Sequence, residues 1–280
     1  MFDSPASPPP RDSAKGWLGQ IAAWALSFTV FEQIGPTVVL AAMLKELGAS
    51  PMLIGIMVAL TPIGMATQAI GAPLLESLRS RKKTLIVLTI LSSLPYLMMA
   101  AGVWWLAPTS KGWTIGAVAI GLALVALICG LREVTFFEFA GATISRPRRG
   151  RFFGLRDAVT AGTGALAGAA VYWTLSRYAG RFPLGYVAIL VAGFAAVTAA
   201  WLALLLTDDR PRPAGVRPEH PLHLFKSLPA MLRQDRCLAR YLLWRTLLQA
   251  SRSAHAFLVV FALVRFSLGD RATGLFILAA

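Results

Sequence analysis

The chain has 280 residues, is 56% hydrophobic and carries a net charge of +14, yet only 14% of its residues are charged. A soluble domain would carry roughly 25% charged residues. Here the cations stand in short blocks between long apolar runs, which excludes a basic soluble nucleic-acid-binding domain and reads instead as a membrane topology signal.

The first stretch, residues 1–16, is polar and rich in Pro and Ser, with Arg11 and Lys15 as its basic flank. The apolar run behind it is too long for a signal-peptide core and lacks a small-residue cleavage site, so it is expected to stay as the first span. Windows of about 19 residues then predict seven spans and the start of an eighth. They cover 17–44, 51–75, 84–107, 113–144, 155–176, 182–207 and 239–264, with the last beginning near Thr273. Each full run exceeds the ~20 residues that cross the hydrocarbon at 1.5 Å per residue. Helices are the expected spanning structure, because unpaired strands would leave backbone groups unsatisfied in lipid. The fold class is therefore all-α, integral to a membrane.

The connections alternate in charge. Eighteen cations fall on the side of the N-terminal tail and of the turn Gly71–Lys83; six fall on the other side. Three more, Arg132, Arg245 and Arg252, lie within spans. The imbalance predicts a cytoplasmic N-terminus and a cytoplasmic Gly71–Lys83 turn, in a multi-pass protein of the bacterial inner membrane. Cys129 and Cys237 have no metal-ligand spacing and are expected as free thiols.

Residues 208–238 form the one long polar connection, opening Asp-Asp-Arg-Pro-Arg-Pro, which cannot continue a helix. Leu222, Leu224, Phe225, Leu228, Met231 and Leu232 then interleave with Lys226, Arg233 and Arg236. That pattern predicts an amphipathic helix on the inner lipid surface, and a linker between a bundle at 17–207 and a second unit at 239–280. Val38-Val39, Ala41, Leu47-Gly48 and Gly55 are echoed by Val259-Val260, Ala262, Leu268-Gly269 and Gly274. Spans 7 and 8 thus read as a parallel second copy of spans 1 and 2, a transporter signature.

With these features the sequence resembles the major facilitator superfamily of secondary transporters, in a prokaryotic branch. Ala72, Leu74, Glu76 and Arg81 fall on positions of its inner-face signature between spans 2 and 3. The loop Leu47-Gly48-Ala49-Ser50 with Gly55, and Arg149-Gly150-Arg151 leading to Gly154, are similar to that family too. The resemblance implies two six-helix bundles that rock about a midplane site, with Gly71, Leu74, Glu76, Arg79, Arg81 and Lys82 as a latch between them. It also implies four spans beyond Ala280, so the chain is expected to be a fragmentary member. The family's antiporter subset has Gly-Pro in span 5; here Ala165 follows Gly164, and drug antiport finds no support. Gly164 and Gly168 are expected as a small-residue packing face.

Charges inside a span cost about 2.5–3.5 kcal/mol each and usually face a cavity or a partner. Glu32 and Gln33 lie in span 1, a turn before Pro36; Arg132, Glu133 and Glu138 lie in span 4. In the family, spans 1, 4, 7 and 10 line the cavity, so Glu32 and Arg132 are expected to meet across it. In span 7, Arg245, Gln249, Arg252 and His255 recur at helical spacing as one polar stripe. These eight residues are the candidate substrate pathway, for a small anionic or zwitterionic solute. Glu32, Glu133 and His255 are the candidate carriers of a coupling proton. Gln68 and the Arg156-Asp157 pair are secondary candidates. No cofactor, metal or catalytic motif joins the three histidines to acids, which argues against a membrane enzyme. Span 7 has no Schiff-base lysine for a photoreceptor.

Overall fold

In a computed structural model the described residues are 14–33, 38–65, 67, 68, 71, 75, 78, 80–208, 229–253, 258, 261, 262, 265, 266 and 271–279. For 33, 65, 245, 248–253, 278 and 279 only the backbone is described. Among these residues the fold is all-helical. The helices are α1 (Ala14–Gln33), α2 (Val39–Glu46), α3 (Pro51–Met65), α4 (Arg81–Leu106), α5 (Lys111–Thr143), α6 (Arg149–Arg177), α7 (Leu184–Leu204), α8 (Arg236–Ser253) and α9 (Ala272–Ala279).

Three of them, α4, α5 and α7, are long and apolar enough to cross a membrane. At 1.5 Å per residue they run about 39, 50 and 32 Å, against a hydrocarbon core of ~30 Å. Their outer faces carry the same message. On α4, Leu85, Leu88, Tyr96, Met99 and Val103 are buried, while Val87, Leu91, Leu94 and Met98 form an exposed stripe on another face. A water-soluble helix puts polar groups on its outer face; this one is apolar on both, as a lipid-facing helix is.

Local chemistry sets the helix ends. Ser80 and Ser110 are extended N-caps whose hydroxyls accept from the backbone N–H of Lys83 and Trp113, so α4 and α5 start two or three residues before the predicted spans. Predicted span 1 divides into α1 and α2, with 34–37, which include Pro36, outside the described residues. Gly48 ends α2 at φ 81°, with Gly48 N–H donating to Lys45 O and Ala49 N–H to Leu44 O. Span 5 starts earlier than predicted, because the arginine block from Arg149 is already helical. Asp235 begins α8 inside the predicted linker: its Oδ1 accepts from the N–H groups of Cys237 and Leu238. Residues 209–228, most of the predicted amphipathic linker, lie outside the described residues.

α4 lies between α5 and α7, α1 between α6 and α7, and α3 packs on α5. The first six residues of α2, Val39 to Leu44, are all apolar and all buried, with Leu40, Ala41, Ala42 and Met43 at the centre of the core, and only Lys45 and Glu46 reach its surface. Beyond the linker, α9 packs on α6. Gly164 and Gly168 are buried in α6, and Gly274 meets Gly168: a Cβ on Gly274 would lie 2.5 Å from Tyr172 N and 2.6 Å from Gly168 O. Among the described residues α8 packs extensively on no other helix, and Tyr241, Leu243, Trp244 and Leu247 stand more than half exposed.

The two ends of the bundle differ. The N-termini of α4 and α6 carry Arg81, Lys82, Lys83, Arg149 and Arg151. At the opposite end stand Trp104, Trp105, Trp113 and Trp173, all exposed, as an aromatic girdle stands at a membrane interface.

Candidate functional site

A cation in the first turn of a helix has the wrong sign for its own dipole. Arg81 and Lys82 at the start of α4, and Arg149 at the start of α6, each reach to a neighbour. Arg81 Nε donates to Glu138 Oε1 of α5 at 2.7 Å. Lys82 Nζ donates to the carbonyls of Leu205 (3.2 Å) and Thr207 just beyond α7. Arg149 donates to Gly141 O (2.6 Å) and Ile144 O (3.3 Å) at the end of α5. Terminal carbonyls without an intrahelical partner are thereby satisfied by positive charge of the favourable sign. These contacts stitch the cation-rich end of the bundle together.

One layer deeper is an aromatic group. Trp24 of α1 stacks on Phe28 (5.3 Å) and meets Phe136 of α5 (4.5 Å). The Arg156 guanidinium lies 4.5 Å from the Trp24 ring centre, 4.8 Å from Phe153 and 5.7 Å from Phe137. Its Nε and Nη2 both donate to Asp157 Oδ1, at 2.9 and 2.7 Å, so the predicted pair forms, and forms inside a cage of rings.

Beside Trp24 a cleft opens where α1, α4, α5 and α7 meet. Its walls include Trp24 and Ser27, Thr89, Arg132 and Phe136, and Leu204. The space it encloses is small, about 10 Å³, room for about one water. Arg132 lies about 16 Å from the cation-rich end of α5 at 1.5 Å per residue, near mid-depth for a ~30 Å core. Its Nη1 donates to Ser92 Oγ of α4 at 3.1 Å, and Ser92 is wholly buried. Among the described residues no carboxylate forms an ion pair with Arg132. Glu133, next in sequence, points elsewhere: one residue turns about 100° around a helix. Glu133 Oε2 accepts from Gln68 Nε2 at 2.8 Å, joining two residues that the sequence singled out separately.

Of the predicted pathway, Arg132 lines the cleft and Glu133 stands behind it on another face of α5. Glu32 is half-buried in the last turn of α1, away from the cleft walls; the hydrogen-bond partner of Arg132 is Ser92. Gln33 closes α1, and Arg245, Gln249 and Arg252 lie on α8, but their side chains are outside the described residues, as is His255 entirely. Of the predicted latch, Arg81 binds Glu138 of α5 and Lys82 the chain just beyond α7, and Gly71 is buried where a Cβ would strike Leu131 of α5. Leu74, Glu76 and Arg79 lie outside the described residues. The sequence reading passed over Trp24, Ser27, Thr89 and Ser92. The signal was present: Thr89, Ser92 and Ser93 interrupt an apolar span at helical spacing. Among the described residues no group of His, Cys, Asp and Glu has a metal-binding arrangement.

No family model matches the chain, and no curated protein matches it either.

Proposed function

We propose that this chain carries a small solute across the bacterial inner membrane by alternating access, as a major-facilitator-type secondary transporter with seven spans and the start of an eighth. The N-terminus and the Gly71–Lys83 turn face the cytoplasm, and the solute is anionic or zwitterionic. Glu133, Glu32 or His255 carries any coupling proton.

The observation behind this reading is Arg132. A cation at mid-depth of an apolar bundle costs about 2.5–3.5 kcal/mol and persists where it serves a polar path or partner. Here it lines a small cleft between four helices and, among the described residues, has one neutral hydrogen-bond partner, Ser92. The separation of a cationic end from a tryptophan end supports the orientation. The α6–α9 contact supports a second unit docked on the first.

The test is flux of radiolabelled organic acids and amino acids into proteoliposomes holding the purified chain. Saturable flux above protein-free vesicles, lost in Arg132→Gln, is expected. Absence of saturable flux for every anionic and zwitterionic solute overturns the reading.

A further inference from the structure

The outer faces of α4 and α6 repeat one pattern. Both helices start at the cation-rich end of the bundle and run to the tryptophan end. Of the cations that open α4, Arg81 is held by Glu138 and Lys82 by the carbonyls beyond α7, whereas Lys83 stands exposed. At the start of α6, Arg149 is held by the end of α5, whereas Arg151 stands exposed. Each helix thus spends cations on the fold and turns one outward.

Beside each outward cation an apolar strip begins. Val87, Leu91, Leu94 and Met98 follow Lys83 in steps of three and four residues, which keep them on one helix face, and Trp105 ends the strip. On α6, Leu155, Val159 and Leu166 follow Arg151 in steps of four and seven, and Trp173 ends the strip. All of these side chains are exposed. From cation to tryptophan each strip runs about 33 Å at 1.5 Å per residue, against a hydrocarbon core of ~30 Å.

A face that is cationic at one end and aliphatic along its length fits a molecule with an anionic head and hydrocarbon chains. The charge around the two cations agrees. α4 contains no acidic residue. On α6, Asp157 stands about 120° around the helix from Arg151 and accepts from Arg156. Arg177, at the tryptophan end of α6, is in the last turn, where the dipole of its own helix balances it; Arg151, in the first turn, has no such balance.

We propose that Lys83 on α4 and Arg151 on α6 each hold the headgroup of an anionic phospholipid of the cytoplasmic leaflet, with its chains lying along the strip beside it. The inference rests on the proposed orientation of the bundle in the membrane, and its test measures lipid binding apart from solute flux. The full chain in detergent is titrated, by native mass spectrometry, with dioleoylphosphatidylglycerol, with dioleoylphosphatidylcholine and with the chainless headgroup glycerophosphoglycerol. A cation near the headgroups contributes about fivefold to the affinity for an anionic lipid. Phosphatidylglycerol is therefore expected at two sites, each binding about fivefold more tightly than phosphatidylcholine, and the chainless headgroup far more weakly than either lipid.

Lys83→Gln and Arg151→Gln should each remove the preference at one site, and the double variant should bind the two lipids equally. Lys83→Arg, which keeps the charge, should keep the preference. Lys82→Gln and Arg177→Gln should leave it intact. A monodisperse elution profile establishes that each variant is folded, and Arg177→Gln serves as the control if Lys82→Gln is not. Equal binding of the two lipids by the wild type, headgroup affinity matching that of the lipid, a preference unchanged in the double variant, or an equal loss in Arg177→Gln overturns the proposal. Selective lipid binding at Lys83 and Arg151 without solute flux supports the lipid sites and sinks the transport reading. Solute flux with equal binding of the two lipids sinks the lipid sites alone.

Discussion

Arg81 and Glu138 join the start of α4 to the cation-rich end of α5 through a charge-assisted hydrogen bond of 2.7 Å. The side chains are 15% and 27% exposed, so the pair is neither free in water nor sealed from it. Arg81→Ala and Glu138→Gln are each expected to destabilise the chain, with a coupling of about 1 kcal/mol in a double-mutant cycle. Thermal unfolding in detergent reads this out. Additive losses would mean that the two side chains act independently.

Gly274 and Gly162 make a controlled comparison. A Cβ at Gly274 runs into the backbone of Tyr172 and Gly168, whereas one at Gly162 meets nothing within 4 Å. Gly274→Ala should cost about 1–3 kcal/mol by overpacking. Gly162→Ala, a helix-interior glycine in open space, should gain about 0.5–1 kcal/mol from reduced backbone entropy. Equal melting temperatures for the two variants would contradict the α6–α9 packing.

Arg156 is held by shape as much as by charge. A lysine there keeps the charge but loses the planar group that faces three rings and bonds Asp157 through two nitrogens. Arg156→Lys is expected to cost about 1 kcal/mol and to shift the emission of Trp24. A spectrum identical to wild type would remove Arg156 from the cage.

The orientation has its own test. Reporter fusions after Lys83 and after Arg149 should read as cytoplasmic, and a fusion after Arg181 as external. Brominated lipids should quench Trp104, Trp105, Trp113 and Trp173 from the external leaflet. A cytoplasmic signal at Arg181 with external signals at the other two sites would invert the topology.

What could be seen in the chain follows from how each signal is written. Apolar runs of about 25 residues announce helices without help from tertiary structure, and α4, α5, α6 and α7 fall where the windows place them. Their starts were misjudged because hydropathy does not register a serine cap or an arginine that is already helical. Arg132 was legible, since a charge in an apolar run is conspicuous. Its pairing with Ser92 was not: the hydroxyls of Thr89, Ser92 and Ser93 stand out in the span, but each returns its proton to its own helix, and no local pattern says which of them also meets Arg132. The Gln68–Glu133 bond joins residues 65 apart, and no local pattern encodes that pairing. Trp24 reads as one more aromatic until Arg156 is placed over its ring and Arg132 in the cleft that it lines.

The contacts of Lys82 and Arg149 with neighbouring helix ends bear on how this protein can be engineered. Loop cations are commonly moved or neutralised to ask which way a membrane protein faces, on the assumption that they act only during insertion. In this bundle the same ammonium and guanidinium groups are fasteners in the finished fold, holding the ends of α7 and α5. Deleting them changes durability together with direction. An altered reporter signal after such a change therefore measures unravelling before it measures inversion, and the way to flip this chain that leaves the fasteners in place is to add cations at the tryptophan end.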